Sequence, residues 1–82
     1  MSLSTLKLKH PIKLGESEES TTELIFSRRP KARDFKGMPV PLGVDEQLLL
    51  ISRLTNLPLP LIQELDGADM MAAMEVLNGN FL

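Results

Sequence analysis

The sequence contains no cysteine, no tryptophan, no tyrosine and only one histidine. Without cysteine there is no disulfide and no thiolate metal site, and His10 cannot build a zinc site alone. The absence of cysteine fits a reducing compartment. With three phenylalanines as the only aromatics, base-stacking recognition of nucleic acid has almost nothing to work with. No apolar run reaches the roughly 18 residues of a membrane helix. The first residues alternate and lack the apolar block of a signal peptide, which points to the cytoplasm. There is no glycine-rich phosphate loop, no nucleophile elbow and no histidine pair. The only His lies in a strand beside Pro11, so the chain can scarcely supply the base and orienter of a catalytic triad, and it reads as a non-catalytic protein without metal or cofactor.

What is present is aliphatic. At 82 residues the chain makes one domain, and such a chain buries only about 60% of the surface it exposes when unfolded. Its core must come from Leu, Ile, Val and Met, and oligomerisation is the remaining way to cover surplus apolar faces; a homo-oligomer is expected. The net charge of −2 hides an uneven distribution. Residues 1–27 carry −1. Residues 28–36 hold Arg28, Arg29, Lys31, Arg33 and Lys36 against Asp34, for +4. Residues 37–82 carry −5.

Leu6, Leu8, Ile12 and Leu14 alternate with Lys7, Lys9 and Lys13, the period of a strand with one buried face. His10 falls on the apolar parity as a structural or semi-exposed strand residue, and Pro11 places the strand at an edge or bulge. Residues 15–21 read as an acidic loop. Residues 22–28 form a second, antiparallel strand with Leu24 and Phe26 on one face and Ile25 on the other. A bare hairpin is marginal, so it needs a helix or a second subunit over its apolar face.

Pro30 ends the strand, and Lys31 to Lys36 can form one helical turn with Phe35 inward. Val44 to Asn56 predicts a helix with Asp45 as N-cap and Val44, Leu48, Ile51 and Leu54 or Thr55 in a stripe that Leu49 and Leu50 widen. Asn56-Leu57-Pro58 ends it. Pro60 to Leu65 predicts a short helix. Gly67 to Asn78 predicts the last, capped by Asp66, with Asp69 in an imperfect capping box and Gly79 as a left-handed C-cap. Asp66, Asp69 and Glu75 read as capping or solvated charges. The architecture is therefore α+β: an N-terminal antiparallel β-hairpin (1–28), a basic elbow and linker (29–43), and three short helices (44–82) in one domain.

Two local features invite a partner. Arg28, Arg29 and Arg33 suit either phosphate contact or a protein surface, or they pair with the acidic helices; a sequence pI near 5.3 weighs against dedicated nucleic-acid binding. Met70, Met71 and Met74 are adaptable side chains, with Met70 and Met74 on the core stripe and Met71 off it. Phe81 and Leu82 form an apolar tail that either folds back or meets a partner.

Three segments in this order resemble the tail assembly chaperones of Mu-like and related contractile-tailed phages: His10-Pro-Ile-Lys-Leu; Leu24-Ile-Phe-Ser-Arg-Arg-Pro-Lys-Ala-Arg-Asp-Phe-Lys-Gly37; and Leu49-Leu-Ile-Ser-Arg-Leu-Thr-Asn-Leu-Pro58 leading to Leu65-Asp-Gly-Ala-Asp69. Leu59-Pro60 departs mildly from that pattern. The resemblance implies a chaperone that binds the tape-measure protein in the host cytoplasm during tail assembly, with tail-tube subunits as further partners, and that is absent from the finished virion. It also implies products of two lengths through ribosomal slippage, and Asn80-Phe81-Leu82 can be encoded as AAT-TTT-TTG, which contains a run of T on which such slippage can occur. On this reading Arg28, Arg29, Arg33, Met71, Phe81 and Leu82 are the partner-binding candidates. A small nucleic-acid-binding or regulatory factor using the basic elbow, and a structural tail component, are the competing readings.

Overall fold

Alternation at the N-terminus does produce a strand, but one interrupted where Pro11 removes a donor. In the computed structural model, which describes residues 4–16, 18–39 and 41–81, β1 (Ser4–Ile12) pairs antiparallel with β2 (Thr21–Phe26). Ser4 faces Phe26 and Leu6 faces Leu24. Between the paired Lys7 and Ile12, however, four residues of β1 stand opposite Thr22 alone. This bulge breaks the period of two. Lys9, His10 and Pro11 are all exposed, and Ile12 returns to the core. Leu14, expected on the buried face, is exposed beyond the end of the strand.

One face of the hairpin is closed by helices of the same chain: β1 packs on the helix Gly67–Asn80 and β2 on the helix Val44–Thr55. These are α3 and α1; α2 (Leu59–Ile62) lies between them in sequence. Leu24, Phe26, Leu50, Ile51, Leu54, Ile62, Ala73 and Leu77 form the fully buried centre. The fold is the expected α+β arrangement of a hairpin followed by three helices.

Several boundaries differ from the sequence expectation. Helix α1 is capped by Gly43 rather than Asp45, because the Glu46 carboxylate reaches back to accept the Gly43 N–H at 3.2 Å. Val44 lies at that exposed first turn and is not part of the buried stripe, whereas Leu50 is fully buried. Asn56 stops α1 in the left-handed conformation (φ 58°), with the Leu57 N–H bonding back to the Ser52 carbonyl, an arrangement that satisfies helix-end carbonyls. Helix α2 starts at Leu59 with Pro60 in its first turn, where the missing N–H costs nothing. Single turns carry the chain on to Leu65.

Asp66 caps α3 by accepting from the Ala68 N–H at 3.0 Å, as its position predicts. Gly79 is not a left-handed C-cap. It lies inside α3, and the Phe81 N–H still bonds the Leu77 carbonyl at 3.0 Å. A glycine inside a helix costs up to about 1 kcal/mol relative to alanine. Burying a Phe side chain returns about 1.5–3 kcal/mol, so docking of Phe81 outweighs the glycine and keeps the last turn helical.

Candidate functional site

After β2 the chain turns through residues 27–36, and almost every constraint on this elbow converges on Asp34. The Ser27 N–H and hydroxyl both reach the Leu54 carbonyl, fixing the elbow to the end of α1. A 3₁₀ turn (Ala32–Phe35) then brings Asp34 inward to 4% exposure, with Phe35 packed against the core. The Arg28 guanidinium donates to both Asp34 carboxylate oxygens, at 2.8 and 3.0 Å. The Lys31 N–H adds a third bond at 2.7 Å. From α1, Arg53 donates to the Asp34 carbonyl at 2.6 Å.

Bidentate pairing with a guanidinium is a strong, orientation-specific contact. The Arg28 hydrogen bonds, followed by the Lys31 N–H, hold the Asp34 carboxyl well below the usual carboxylate range; burial opposes this and loses. The same contact raises Arg28 above its ordinary value.

The three arginine candidates therefore have different surroundings. Arg28 is a structural partner of Asp34, and not of the acidic helices. Arg29 lies over the Phe81 ring at 5.9 Å and reaches the Asn80 carbonyl at 3.5 Å, against the end of α3. Arg33 is exposed, as are Lys31 and Lys36. None of these last three side chains makes an ion pair with another described residue.

At the other end of the chain the candidates also separate. Met71 is 57% exposed. Met70 and Met74 are half-buried. Of the two alternatives for the tail, Phe81 takes the folded-back one: it is 7% exposed and stacks on Phe26 with ring centroids 5.7 Å apart. The apolar ring is worth more inside, next to the buried strand phenylalanine, than in water. Leu82 lies outside the described residues.

One buried polar group was hidden from sequence reasoning. Asp69, read as a capping or solvated charge, is 2% exposed. Its carboxylate accepts the Lys9 N–H at 3.0 Å and the His10 N–H at 2.9 Å, from donors 60 and 59 residues away in sequence. These donors lie in the bulge opposite Thr22, so the side chain substitutes for a missing strand partner. Those backbone bonds, the Lys9 one foremost, lower the Asp69 pKa against the opposing effect of burial. The D-x-x-D spacing at a helix start carries an ordinary capping signal that conceals this role. His10 projects outward, its Nε2 3.9 Å from Asp66.

Among the described residues there is no cluster of side chains able to hold a metal ion, no small-molecule pocket and no helix long and apolar enough to cross a membrane. What the surface offers is charge at the elbow and scattered apolar side chains, Leu14, Ile25, Val44 and Met71 among them. The family model described as phage tail assembly chaperone proteins, E, or 41 or 14, matches residues 5–82. The chain belongs to this family of tail assembly chaperones. No curated protein and no solved structure matches it. The match takes in the hairpin, the elbow and all three helices, and with them the three segments that carry the resemblance. In this chaperone the Arg-Pro segment is the Asp34-centred elbow, and the Leu-Thr-Asn-Leu-Pro segment is the left-handed stop of α1.

Proposed function

We propose that the protein is a non-catalytic chaperone that binds the tape-measure protein during tail assembly in the host cytoplasm and leaves before the virion is complete. The observation that carries this reading is the family match over residues 5–82. The surface is compatible with it. Helix α3 presents Met71 outward with half-buried Met70 and Met74 nearby in sequence, and flexible thioethers adapt to varied helical clients. Arg29 and Arg33 are the charged contributors from the elbow. Tail-tube subunits are the second partner.

Co-expression of the chain with tape-measure fragments tests the client. Capture of a fragment by the wild-type chain, weakened by Met71→Ser with the fold intact, is the expected result. Failure of every fragment to co-purify would reject the tape-measure protein as client. Peptides of this chain recovered from purified mature particles would instead favour a retained structural component.

A further inference from the structure

Helix α3 uses its sides differently. Asp69, Ala73 and Leu77 face inward and are buried. Met70, Met71, Met74 and Asn78, at positions i, i+1, i+4 and i+8, share the flank beside them. Met70 and Met74 are half-buried, and Met71 is 57% exposed. The Asn78 amide fixes what this flank lies against. It donates to the Gln47 side-chain oxygen at 3.2 Å and to the Met74 carbonyl at 2.8 Å. One turn before Gln47 on α1 stands Val44, 53% exposed, and next to Gln47 stands half-buried Leu48. The Gln47–Asn78 bridge thus joins the methionine flank of α3 to the apolar start of α1 in one seam.

The charge around this seam has one sign. After Arg53 the sequence has no Lys, Arg or His as far as Leu82. Arg53 itself is tied to the Asp34 carbonyl at the elbow. Arg29, at the end of α3, is engaged by the Phe81 ring and the Asn80 carbonyl. Asp45, next to Val44, and Glu75, one turn from Met71, are both exposed. Glu46 lies beside Asp45, its carboxylate accepting the Gly43 N–H. An apolar seam with an acidic rim attracts basic partners and repels acidic ones. A second copy is a poor occupant, because its own α3 brings Glu75 and no cation.

We propose that the α1–α3 seam receives a cationic amphipathic helix, its apolar ridge on Val44, Met71 and Met74 and its Lys or Arg flanks reaching Asp45 and Glu75. The inference rests on the chaperone reading and specifies the chemistry of the client segment. From Met70 to Asn78 the flank runs about 12 Å at 1.5 Å per residue, enough for two turns of a partner helix. Unbranched thioethers reshape around different ridges. The seam therefore selects by charge and amphipathicity rather than by one sequence.

Two synthetic helices of about 18 residues, long enough to hold helical structure, test it by fluorescence anisotropy against the full chain. Both carry the same leucine ridge, one with Lys flanks and one with Glu flanks. In low salt the Lys probe should bind about tenfold more tightly than the Glu probe, since each exposed ion pair contributes up to about fivefold. The gap should narrow in about 1 M salt, where the Debye length is about 3 Å. D45N/E75Q should remove most of that preference. Met71→Ser should weaken the Lys probe about tenfold by removing apolar contact. These substitutions change exposed side chains, and circular dichroism checks that each variant is folded. A Lys probe that fails to bind, that binds no better than the Glu probe, or that ignores all the substitutions would overturn the proposal. So would probe binding that is lost as the chain's own concentration rises, which would give the seam to a second copy. Capture of tape-measure fragments by a chain that ignores the Lys probe would overturn the seam and leave the chaperone reading standing. A Lys probe bound at the seam, with no tape-measure fragment captured, would uphold the seam and reject that client.

Discussion

Replacing Phe81 by alanine separates a core role from a client-binding role at the end of α3. The ring is 7% exposed and stacks on fully buried Phe26 at 26° between planes, with the Arg29 guanidinium over it. Truncating a buried Phe costs about 3–5 kcal/mol, including the cavity left behind. The site is the last turn of a terminal helix and can partly collapse, so the lower figure applies, about 3 kcal/mol. Domain stability runs at about 0.05–0.15 kcal/mol per residue. For 82 residues that gives a total of about 4–12 kcal/mol. The loss is therefore a large share of the whole, equivalent to a Tm decrease of about 10–25 °C. The chain has no Trp or Tyr, so far-ultraviolet circular dichroism in a urea titration is the suitable readout. The midpoint should fall with an unchanged slope. Met71→Ser on the same helix should stay within about 0.5 kcal/mol of wild type, as exposed substitutions do. A Phe81→Ala variant that loses less than about 1 kcal/mol yet fails to capture its client would refute the core assignment.

Asp34→Asn should destabilise by about 2 kcal/mol in urea titration: breaking a buried pair costs about 3–5 kcal/mol, discounted because the Arg28 side chain is 35% exposed and partly screened. Arg28→Ala should be similarly costly and non-additive with it, whereas Arg33→Ala should be neutral; equal costs for the two arginines would contradict the elbow geometry. Asp34 and Asp69 both titrate below their ordinary range when folded. Their contribution is thus complete above the unfolded value of about 3.9 and is lost as pH falls through the depressed folded values. Stability measured against pH should decline below about pH 4, and the D34N/D69N double variant should show a flatter acid limb; an unchanged limb would argue against both carboxylates. Asp69→Ala should expose the Lys9 and His10 amides, read as faster hydrogen exchange at those two positions and not at the paired Leu6 and Lys7.

The periodicities were legible because each reports burial on one face. Leu24 and Phe26 mark the inner side of β2, Ile51 and Leu54 that of α1, and Ala73 and Leu77 that of α3. Pro58 and Asp66 mark a stop and a start through chemistry confined to a few neighbouring residues. Local signals failed where the deciding partner lies far along the chain. Gly79 has the form of a helix terminator, yet Phe26 holds Phe81 and extends the helix past it. Leu14 continues the apolar parity of Ile12, but the strand ends at Ile12 and Leu14 lies exposed beyond it.

The same division holds at the candidate surface. The sequence alone determined that the chain is aliphatic, poor in the residues of catalysis and metal binding, α+β in pattern, and basic between residues 28 and 36. It could not tell Arg28 from Arg33, or Asp69 from Asp66, because neighbours of one charge and similar spacing have the same local signature. Only the tertiary structure decided that Arg28 and Asp34 satisfy each other while Arg33 remains outside. It also decided that Asp69 binds two strand amides 60 and 59 residues away while Asp66 caps its own helix. The reason is physical: periodicity and capping act over a few residues, whereas a buried charge is stabilised by whichever donors the folded chain brings within hydrogen-bonding reach.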